Sequence, residues 1–561
     1  MNPFMRLCPL ILVALAFLAG CDSRSERFDI VITRATIVDG TGNPWYRGDV
    51  GIRGDRIAAI GKLDTVNADR VIDAGGRVVA PGFIDMLGQS ELNLLVDPRA
   101  MSKISQGITT EITGEGSSAA PVNDRIRESM RRWTERYGVE IDWTDLAGYF
   151  RALERRKPAI NLGTFVGATQ VRRFVIGLDD RAPTGEELVQ MKHLVRTAME
   201  QGALGLSTSL IYAPATFART DELIELAKEA SAFGGIYISH IRDEGNRITE
   251  ALLEAGDIAR AASLPVEIWH LKVAGRQNWG AMASVVNLIN RYRQDGLDMT
   301  ANIYPYPASG TSLSSRIPTW AHDGGVHRLL ERLSDPGTRK KIRDEMTGAT
   351  AGTDNSFAAT GPEGILIAGV QSPGLKQYEG MRLSQIARDR KVHPIDALLD
   401  LVLEDSARVS AIFFSMNEED VRMAMAQPWV SFCTDGGQRA TDGPLSEGKP
   451  HPRAYGSFPR ILRHYVREAQ VLTLEEAVRK MTSLPAQRVG LRDRGLLKPG
   501  FYADVVIFDP AKVTDKATFE NPHRYSEGMD LVLVNGVSVW EDGRFTGNFP
   551  GKPLRGPGYR R

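Results

Sequence analysis

The chain is 561 residues long, with 42% hydrophobic and 25% charged residues. This composition is ordinary for a soluble globular protein with a sizeable core, and the length allows about three or four domains or one large barrel with additions. Lys+Arg and Asp+Glu each total 69, so the formal net charge is zero. That balance gives no reason to expect a nucleic-acid partner, and the chain has no polybasic tract for a membrane surface.

The N-terminus has the pattern of a bacterial lipoprotein signal. Residues 1–6 are a short basic start, and residues 7–19 form an apolar run that is too short to span a bilayer comfortably. Small residues then precede Cys21, as in the lipoprotein cleavage box, where the cysteine is acylated and several acyl chains give a firm anchor. We predict a signal peptide over residues 1–20 and lipidation of Cys21. A simple secretory signal or an uncleaved anchor is the alternative.

The residues after this signal indicate the compartment. Residues 21–27 are predicted to be a lipidated polar tether, and Asp22 favours retention at the inner membrane. We therefore expect a membrane-anchored lipoprotein that faces the periplasm. Apart from Cys8 in the signal and Cys21, the only cysteine is Cys433, so the mature chain has no internal disulfide despite an oxidising compartment.

Both ends of the mature chain have the pattern of a β domain. Residues 28–80 contain short apolar runs broken by glycine, such as DIVITRATIVDG, and residues 491–561 contain GLLKPGFYADVVIFDP and DLVLVNGVSVWEDG before a C-terminal tail. Segments at opposite ends of a chain can pair, so we predict one small β-sandwich that brackets residues 81–490.

Residues 81–490 alternate strand and helix patterns. Helical periodicity over residues 220–233 and 249–262 separates short apolar strands, and eight such units predict an α/β fold with a (β/α)₈ TIM-like barrel. A doubly wound open sheet is the competing topology, but the residues after the first strand are not a glycine-rich phosphate loop. Residues 307–377 predict an excursion over the barrel mouth. The strand candidates are VVAPGFID, TTEITGEG, NLGTFVGA, GALGLSTS, GIYISHIR, PVEIWHLK, MTANIYPY and WVSFCTDG.

Polar residues that can bind a metal follow four of these strands. Glu115, His240, His270 and Asp435 stand at the C-terminal strand ends, where barrel enzymes place their active sites. Imidazole and carboxylate are zinc ligands, and a site with three protein ligands leaves one position for water. The alternatives are structural hydrogen-bonding histidines and a turn or helix-capping role for Asp435.

Several motifs resemble the N-acyl-D-amino-acid deacylase (D-aminoacylase) family of the amidohydrolase superfamily. The resemblance extends from about Phe28 to the C-terminus. The segments that carry it are SHIRDEG, HLKVAG, NIYPYPAS, SFCTDGG, HPRAYGSFPRILRHYVRE and TSLPAQRVGLRDRGLLKPGFYADVVIFDP.

The resemblance implies a barrel with a β-sandwich, a tightly held zinc ion, and hydrolysis of the amide of an acylated D-amino acid. His240 and His270 match the family's two tight-site histidines. Asp435 matches its general base, which takes a proton from a metal-activated water and returns it to the leaving amine.

Four further residues match positions that contact the substrate in this family. Lys272 and Arg453 match the groups that receive the substrate carboxylate, while Tyr304 and Ser309 fall near the remaining substrate-contacting positions. The alternatives are an ion pair with a nearby acid for Lys272, a solvated surface position for Arg453 and core packing for Tyr304. The predicted partner is a small molecule that carries an amide and a carboxylate.

The chain departs from the family pattern at two metal positions. The usual His-x-His after the first strand is replaced by Leu87, Gly88 and Gln89, so we predict one zinc ion per chain. The family cysteine after the second strand is also absent, and Glu115 is the predicted third ligand. If Glu115 instead faces an arginine or lysine, zinc is held weakly or not at all.

Two other functions remain open at this point. One is a metal-dependent hydrolase of another small amide, such as a cyclic amide or a dipeptide. The other is a catalytically decayed binding lipoprotein on the same scaffold, which the two missing metal-ligand motifs suggest. The sequence does not indicate the oligomeric state.

Overall fold

The computed structural model describes residues 27–348 and 356–560. The predicted signal, the lipidation of Cys21 and most of the tether lie outside these residues, so the lipid anchor and the periplasmic location stay predictions. Among the described residues, no helix combines the length and the apolar character that crossing a membrane requires.

The N-terminal segment forms five strands, as its glycine-punctuated apolar runs predict. Two of them, β1 and β2, pair antiparallel along most of their length. The strands are β1 (Phe28–Ile37), β2 (Tyr46–Arg53), β3 (Arg56–Gly61), β4 (Ala68–Asp73) and β5 (Val78–Pro81).

A parallel barrel follows, and each predicted strand segment up to residue 306 contains one of its strands. This part of the chain contains seven of the eight barrel strands, and the third barrel strand is divided into β8 and β9. The strands are β6 (Phe83–Asp85), β7 (Ile108–Thr113), β8 (Asn161–Thr164), β9 (Val166–Gly167), β10 (Gly205–Ser209), β11 (Ile236–His240), β12 (Val266–Ile268) and β13 (Met299–Ile303).

Helices fill the connections between these strands. The longest, α6, begins with a capping box in which Thr184 accepts from the backbone of Glu187 and the Glu187 side chain accepts in return. The helices are α1 (Asn93–Val96), α2 (Met101–Ile104), α3 (Asp124–Tyr137), α4 (Leu146–Arg156), α5 (Ala168–Val175), α6 (Gly185–Glu200), α7 (Thr220–Ser231), α8 (Ile248–Ala262) and α9 (Met282–Gln294).

The excursion after β13 is a small subdomain that is longer than predicted. It continues to residue 413 and has its own apolar core, because its helices pack on an antiparallel sheet in the order β14-β16-β15. Its elements are β14 (Ser309–Ser312), α10 (Gly325–Ser334), α11 (Pro336–Met346), α12 (Ser356–Thr360), β15 (Ile365–Gly369), α13 (Leu383–Arg390), α14 (Pro394–Glu404) and β16 (Ser410–Phe413).

The eighth barrel strand and the return to the β domain complete the chain. A π-helical turn over Ile461–Glu468 extends α16. The elements are α15 (Glu418–Ala426), β17 (Val430–Phe432), α16 (Arg453–Arg460), α17 (Leu474–Met481), α18 (Ser483–Arg488), β18 (Val505–Phe508), β19 (Met529–Val534), β20 (Val537–Glu541) and β21 (Arg544–Phe545).

Hydrogen bonds close the barrel between its first and last strands. The Met86 amide donates to the Phe432 carbonyl at 3.3 Å, and Gly88 forms a parallel bridge with Gly436. The prediction of a (β/α)₈ barrel is confirmed, and the same closure brings the carboxyl end of β17 beside the end of β6.

Strands from both ends of the chain join in one nine-stranded sheet. Its order is β21-β20-β19-β18-β5-β1-β2-β3, with β4 also paired to β1. The antiparallel contact between β5 and β18 joins segments more than 400 residues apart, and a separate apolar core lies within this domain. The small β domain that brackets the barrel is therefore present, while the exact boundaries at residues 80 and 490 stay predictions.

Candidate active site

Four predicted site residues meet at one end of the barrel. Glu115 follows β7, His240 ends β11, His270 follows β12 and Asp435 follows β17. The carboxyl ends of parallel barrel strands share one edge, so side chains at these positions point into a common space. All four line a cavity of about 1610 Å³, whose other wall comes from the inserted subdomain.

Glu115 and the two histidines form a group that fits a metal ion. Glu115 Oε1 lies 2.8 Å from His240 Nδ1 and 3.0 Å from His270 Nε2. One ligand atom from each residue lies within 4.8 Å of the others, and the two imidazole rings are nearly perpendicular, at 87°. Two nitrogens and one carboxylate oxygen are a donor set that zinc accepts, so the residues present fit this ion.

The pKa values around this group show that the site favours positive charge. Burial acts to raise the pKa of Glu115, but the hydrogen bonds from His240 and His270 outweigh it and lower that pKa well below its ordinary value. Burial and Lys272 act to lower the pKa of His270, yet Asp435 and the other nearby carboxylates raise it to about 9. Positive charge between these carboxylates is thus stabilised, whether a proton or a metal ion carries it.

A second carboxylate, Glu244, holds His270 from the other side. Glu244 Oε1 lies 3.1 Å from His270 Nδ1 and 2.5 Å from Lys272 Nζ. Lys272 Nζ also lies 2.6 Å from His270 Nδ1, so Glu244 and Lys272 both contact the ring nitrogen opposite the one that faces Glu115. The ion pair considered as the alternative for Lys272 is therefore present. The sequence analysis missed Glu244, although it stands in SHIRDEG four residues after His240.

Asp435 is held by two polar side chains at the cavity wall. Arg453 Nη1 lies 2.8 Å from its Oδ2, and Gln89 Nε2 lies 3.4 Å from its Oδ1. Arg453 is buried, not a solvated surface arginine, and it also donates to the Gly310 carbonyl at 3.1 Å. This hydrogen bond links Arg453 to β14, the first strand of the inserted subdomain.

A buried lysine supports the backbone that presents Asp435. Asp435 has a φ of 46°, in the left-handed region that costs energy for residues other than glycine. Lys103 Nζ donates to Thr434 Oγ1 at 2.8 Å and to the Gly436 carbonyl at 2.6 Å, and it pairs with Asp85 at 2.7 Å. These contacts fix the residues on both sides of Asp435. Lys103 was not among the predicted site residues.

Leu87, Gly88 and Gln89, which stand where the family has His-x-His, make contacts other than metal binding. The Leu87 carbonyl accepts from the Asp435 amide at 2.8 Å, and the Gln89 amide donates to Glu115. A Cβ at Gly88 would lie 1.7 Å from a carboxylate oxygen of Glu111, so only glycine fits there. The first strand therefore offers an amide to the site where the superfamily offers imidazoles.

The two remaining predicted residues occupy different positions. Ser309 begins β14 and lines the cavity. Tyr304 is buried behind the wall, where its hydroxyl contacts Met416 Sδ at 3.7 Å. Lys272 Nζ and the Arg453 guanidinium lie 5.6 Å and 4.6 Å from the centre of the Tyr304 ring, so this ring packs against both cations.

Comparison with known proteins identifies the family. The sequence matches the amidohydrolase family over residues 70–540. It is 37% identical over 536 residues to D-aminoacylase from Alcaligenes xylosoxydans xylosoxydans, which covers 95% of this chain and 98% of that protein. The chain belongs to the amidohydrolase family. Within that family, this amidohydrolase groups with D-aminoacylase, as its motifs predict.

Solved structures agree over nearly the whole chain of this amidohydrolase. N-acyl-D-glutamate deacylase from Bordetella bronchiseptica, complexed with zinc and a phosphonate mimic of the tetrahedral intermediate, superimposes with a TM-score of 0.78 at 34% identity, covering 94% of this chain and all of that one. D-aminoacylase, described with a binuclear metal centre activated by one metal and attenuated by a second, gives a TM-score of 0.77 with the same identity and coverage. Together with the donor set, these structures support a metal cofactor in this amidohydrolase.

A buried carboxyl beside the site predicts a pH-dependent stability. Glu91 accepts from the Gly114 amide at 2.6 Å, and burial raises its pKa from 4.5 to about 7. The folded protein then binds more protons than the unfolded chain between these two values, so the free energy of unfolding falls as pH rises through this window. Glu91→Gln is expected to remove this loss of about 3 kcal/mol.

Denaturant midpoints at several pH values test this expectation. The Glu91→Gln protein should match the wild type near pH 4.5 and should be more stable above pH 7.5. A stability difference that stays constant across this range would contradict the shifted Glu91 titration, because a pH-independent difference reflects packing instead.

Proposed function

We propose that this amidohydrolase hydrolyses the amide bond of N-acylated amino acids, with preference for the D-configuration. The observation that carries the proposal is the convergence of Glu115, His240 and His270 with Asp435 in one cavity. The relatives named above, a D-aminoacylase and an N-acyl-D-glutamate deacylase, support this substrate class and configuration.

The proposed cofactor is one zinc ion per chain, held by Glu115, His240 and His270. When bound, zinc supplies Lewis acidity that polarises a carbonyl and makes a water molecule a better nucleophile. One ion is proposed in place of two because the end of the first strand presents Leu87 and Gln89, and neither is an ordinary zinc ligand. Gln89 instead uses its amide to donate to Glu115.

Asp435 is the proposed general base. Its Oδ2 lies 2.8 Å from Arg453 Nη1 at the cavity wall, and a carboxylate is a side chain that can accept a proton. In the reaction, Asp435 takes a proton from the attacking water and delivers it to the nitrogen of the leaving amine. Lys103 donates to Thr434 and to the Gly436 carbonyl, and these contacts hold the backbone of Asp435 at the cavity wall. The base therefore needs little rearrangement before it acts.

Arg453 and Lys272 are the proposed receivers of the substrate carboxylate. Arg453 donates to the Gly310 carbonyl through Nη2. Its Nη1 is paired with Asp435 at 2.8 Å but makes no hydrogen bond within the described residues, so the N–H groups of this one nitrogen can be donated to a ligand. Lys272 adds a point charge beside the histidines. Ser309 lies on the same cavity wall, and Tyr304 positions both cations by packing its ring against them.

A hydrolysis screen with zinc measured on the same sample tests this function. The panel should contain N-acetyl and N-formyl D- and L-amino acids, the matching D-amino-acid amides that lack a carboxylate, and a cyclic amide. We expect about one zinc per chain and hydrolysis of the D-acids, with the neutral D-amides slower by about 100-fold or more because a charged contact is lost.

Two outcomes of the screen would overturn the proposal. Equal rates for the D-acids and the carboxylate-free amides would remove the assigned role of Arg453 and Lys272 and favour another small amide as substrate. Zinc-loaded protein that hydrolyses no compound in the panel would favour a binding protein on the same scaffold.

A further inference from the structure

The segment HPRAYGSFPR begins with a buried histidine, His451. Arg453 is the first residue of α16, and Pro452 before it has no N–H, so the Arg453 amide is the first backbone donor of this helix. His451 Nδ1 accepts from that amide at 3.0 Å. The imidazole therefore caps the helix that carries the Arg453 guanidinium.

The other ring nitrogen of His451 contacts the base of the inserted subdomain. Nε2 lies 2.9 Å from the carbonyl oxygen of Ala308, the residue before β14. Two residues further along, the Gly310 carbonyl accepts from Arg453 Nη2. Among the described strands β14 lies at the edge of its sheet, and an edge strand has carbonyl groups that the sheet does not use. His451 and Arg453 thus bind neighbouring carbonyls of one segment.

These two hydrogen bonds fix the protonation of the His451 ring. A backbone amide can only donate and a carbonyl can only accept, so Nδ1 is unprotonated and Nε2 carries the proton. Burial, reinforced by the charge of Arg453, lowers the pKa of His451 well below its ordinary value. The ring is therefore a neutral bridge with one donor and one acceptor, both of them used.

Three aromatic rings hold the plane of His451. Tyr306 and Phe519 pack edge-on against it, with ring centroids 5.2 Å and 5.0 Å away, and the Tyr304 centroid lies at 6.3 Å. Tyr304 is also the ring over which the Arg453 guanidinium lies, at 4.6 Å. The imidazole and the guanidinium therefore share one aromatic neighbour, which couples the orientation of one to that of the other.

We propose that His451 is a positioning residue that acts through Arg453. It bridges the base of the inserted subdomain to the first turn of α16, and this bridge holds the guanidinium where it reaches both Asp435 and the substrate carboxylate. The inference rests on the proposed function, in which Arg453 receives that carboxylate. Of the two residues, only Arg453 lines the cavity as the structure describes it, so His451 acts without contact to the substrate.

Kinetics of His451→Ala on two substrates test this role. The pair is the best N-acyl-D-amino acid and the matching D-amino-acid amide, which has no carboxylate. We expect kcat/KM for the acid to fall by about 10–100-fold, mainly through KM, because a displaced guanidinium binds the carboxylate poorly. The value for the amide should stay within a few-fold. Equal losses on both substrates would overturn the proposal, since a distorted cavity affects both alike.

A double-mutant cycle with Arg453→Met shows whether His451 acts through Arg453. In the Arg453→Met background, adding His451→Ala should cause no further loss on the acid, because the group to be positioned is already gone. A further loss as large as that in the wild-type background would mean that the two residues act independently, and it would overturn the proposal.

Two conservative variants separate the two hydrogen bonds of His451. Asparagine places its side-chain oxygen near the position of Nδ1 and can accept from the Arg453 amide, whereas glutamine places its amide near Nε2 and can donate to Ala308. Each variant should recover part of the rate on the acid that His451→Ala loses. If neither variant exceeds alanine, the bridge does not position Arg453.

A matched control with the same local motif lies in the inserted subdomain. His393 is also followed by proline, and its Nδ1 accepts from the Ile395 amide at 3.2 Å at the start of α14. It is exposed and is not part of the described cavity wall. His393→Ala removes a helix cap as well, but it should change neither rate. Zinc content and melting temperature, measured for every variant, show whether the fold and the metal site are intact.

Failure of this inference is distinguishable from failure of the proposed function. Zinc-loaded wild type that hydrolyses no N-acyl-D-amino acid would overturn the proposed function. The state of His451 is measured without turnover, by nitrogen NMR on protein with isotope-labelled histidines. One ring, absent from the His451→Ala spectrum, should stay neutral with its proton on Nε2 down to about pH 5. A proton on Nδ1, or titration near the ordinary histidine pKa, would overturn the bridge whatever the kinetics.

Discussion

Asp435→Asn is expected to lower kcat by about 10²–10⁴-fold while zinc stays bound, which is the usual contribution of a positioned general base. Asparagine has nearly the same shape as aspartate, so the backbone clamp from Lys103 to Thr434 and Gly436 is retained. The substitution removes the ability of residue 435 to accept a proton. Steady-state rates on the best N-acyl-D-amino acid, with metal analysis of the same protein, measure both effects.

A carboxylate close in sequence supplies the control. Asp442 lies on the same connection between β17 and α16, but it pairs with Arg99 and is largely exposed. Asp442→Asn should leave kcat unchanged. If Asp435→Asn retains more than about a tenth of the wild-type rate, another group serves as the base, since a lost base costs more than that.

The residues at the barrel strand ends could be predicted from sequence because two independent patterns coincide there. Short apolar runs between helical patterns locate the strands, and the geometry of a parallel barrel places their carboxyl ends together. Glu115, His240 and His270 are therefore found within 4.8 Å of one another although 155 residues separate the first from the last. No comparable rule predicts how far the inserted subdomain extends. The predicted excursion ended at residue 377, whereas the subdomain continues to residue 413.

Other features of the site depend on contacts that no local pattern indicates. A lysine on a short helix is ordinarily solvated, yet Lys103 is fully buried because Asp85 and the carbonyl of Gly436 surround its ammonium. Glu244 looks like one polar residue among several after a strand. Its role becomes visible only when the folded chain places it against His270 and Lys272.

Glu115→Ala is expected to weaken zinc binding by at least about 100-fold, more than the loss of a residue that only orients a ligand. Glu115 Oε1 is the atom toward which His240 Nδ1 and His270 Nε2 both point. Without that oxygen, two imidazoles alone hold the ion. Competition with a chelator measures the affinity, and the rise in melting temperature on adding zinc, which binding to the folded state causes, should vanish in this variant.

The Glu244→Gln variant distinguishes Glu115 from Glu244 as the third zinc ligand, because the two carboxylates face opposite nitrogens of the same two histidines. Glu115 faces Nδ1 of His240 and Nε2 of His270, whereas Glu244 lies 3.7 Å from Nε2 of His240 and 3.1 Å from Nδ1 of His270. Lys272 occupies the Glu244 side with its ammonium, and a second cation there would be repelled. We therefore expect Glu244→Gln to cost about 10–100-fold in zinc affinity, as an orienting residue does. If Glu244→Gln cost more than Glu115→Ala, the ion would belong on the Glu244 side, and the third ligand would be Glu244.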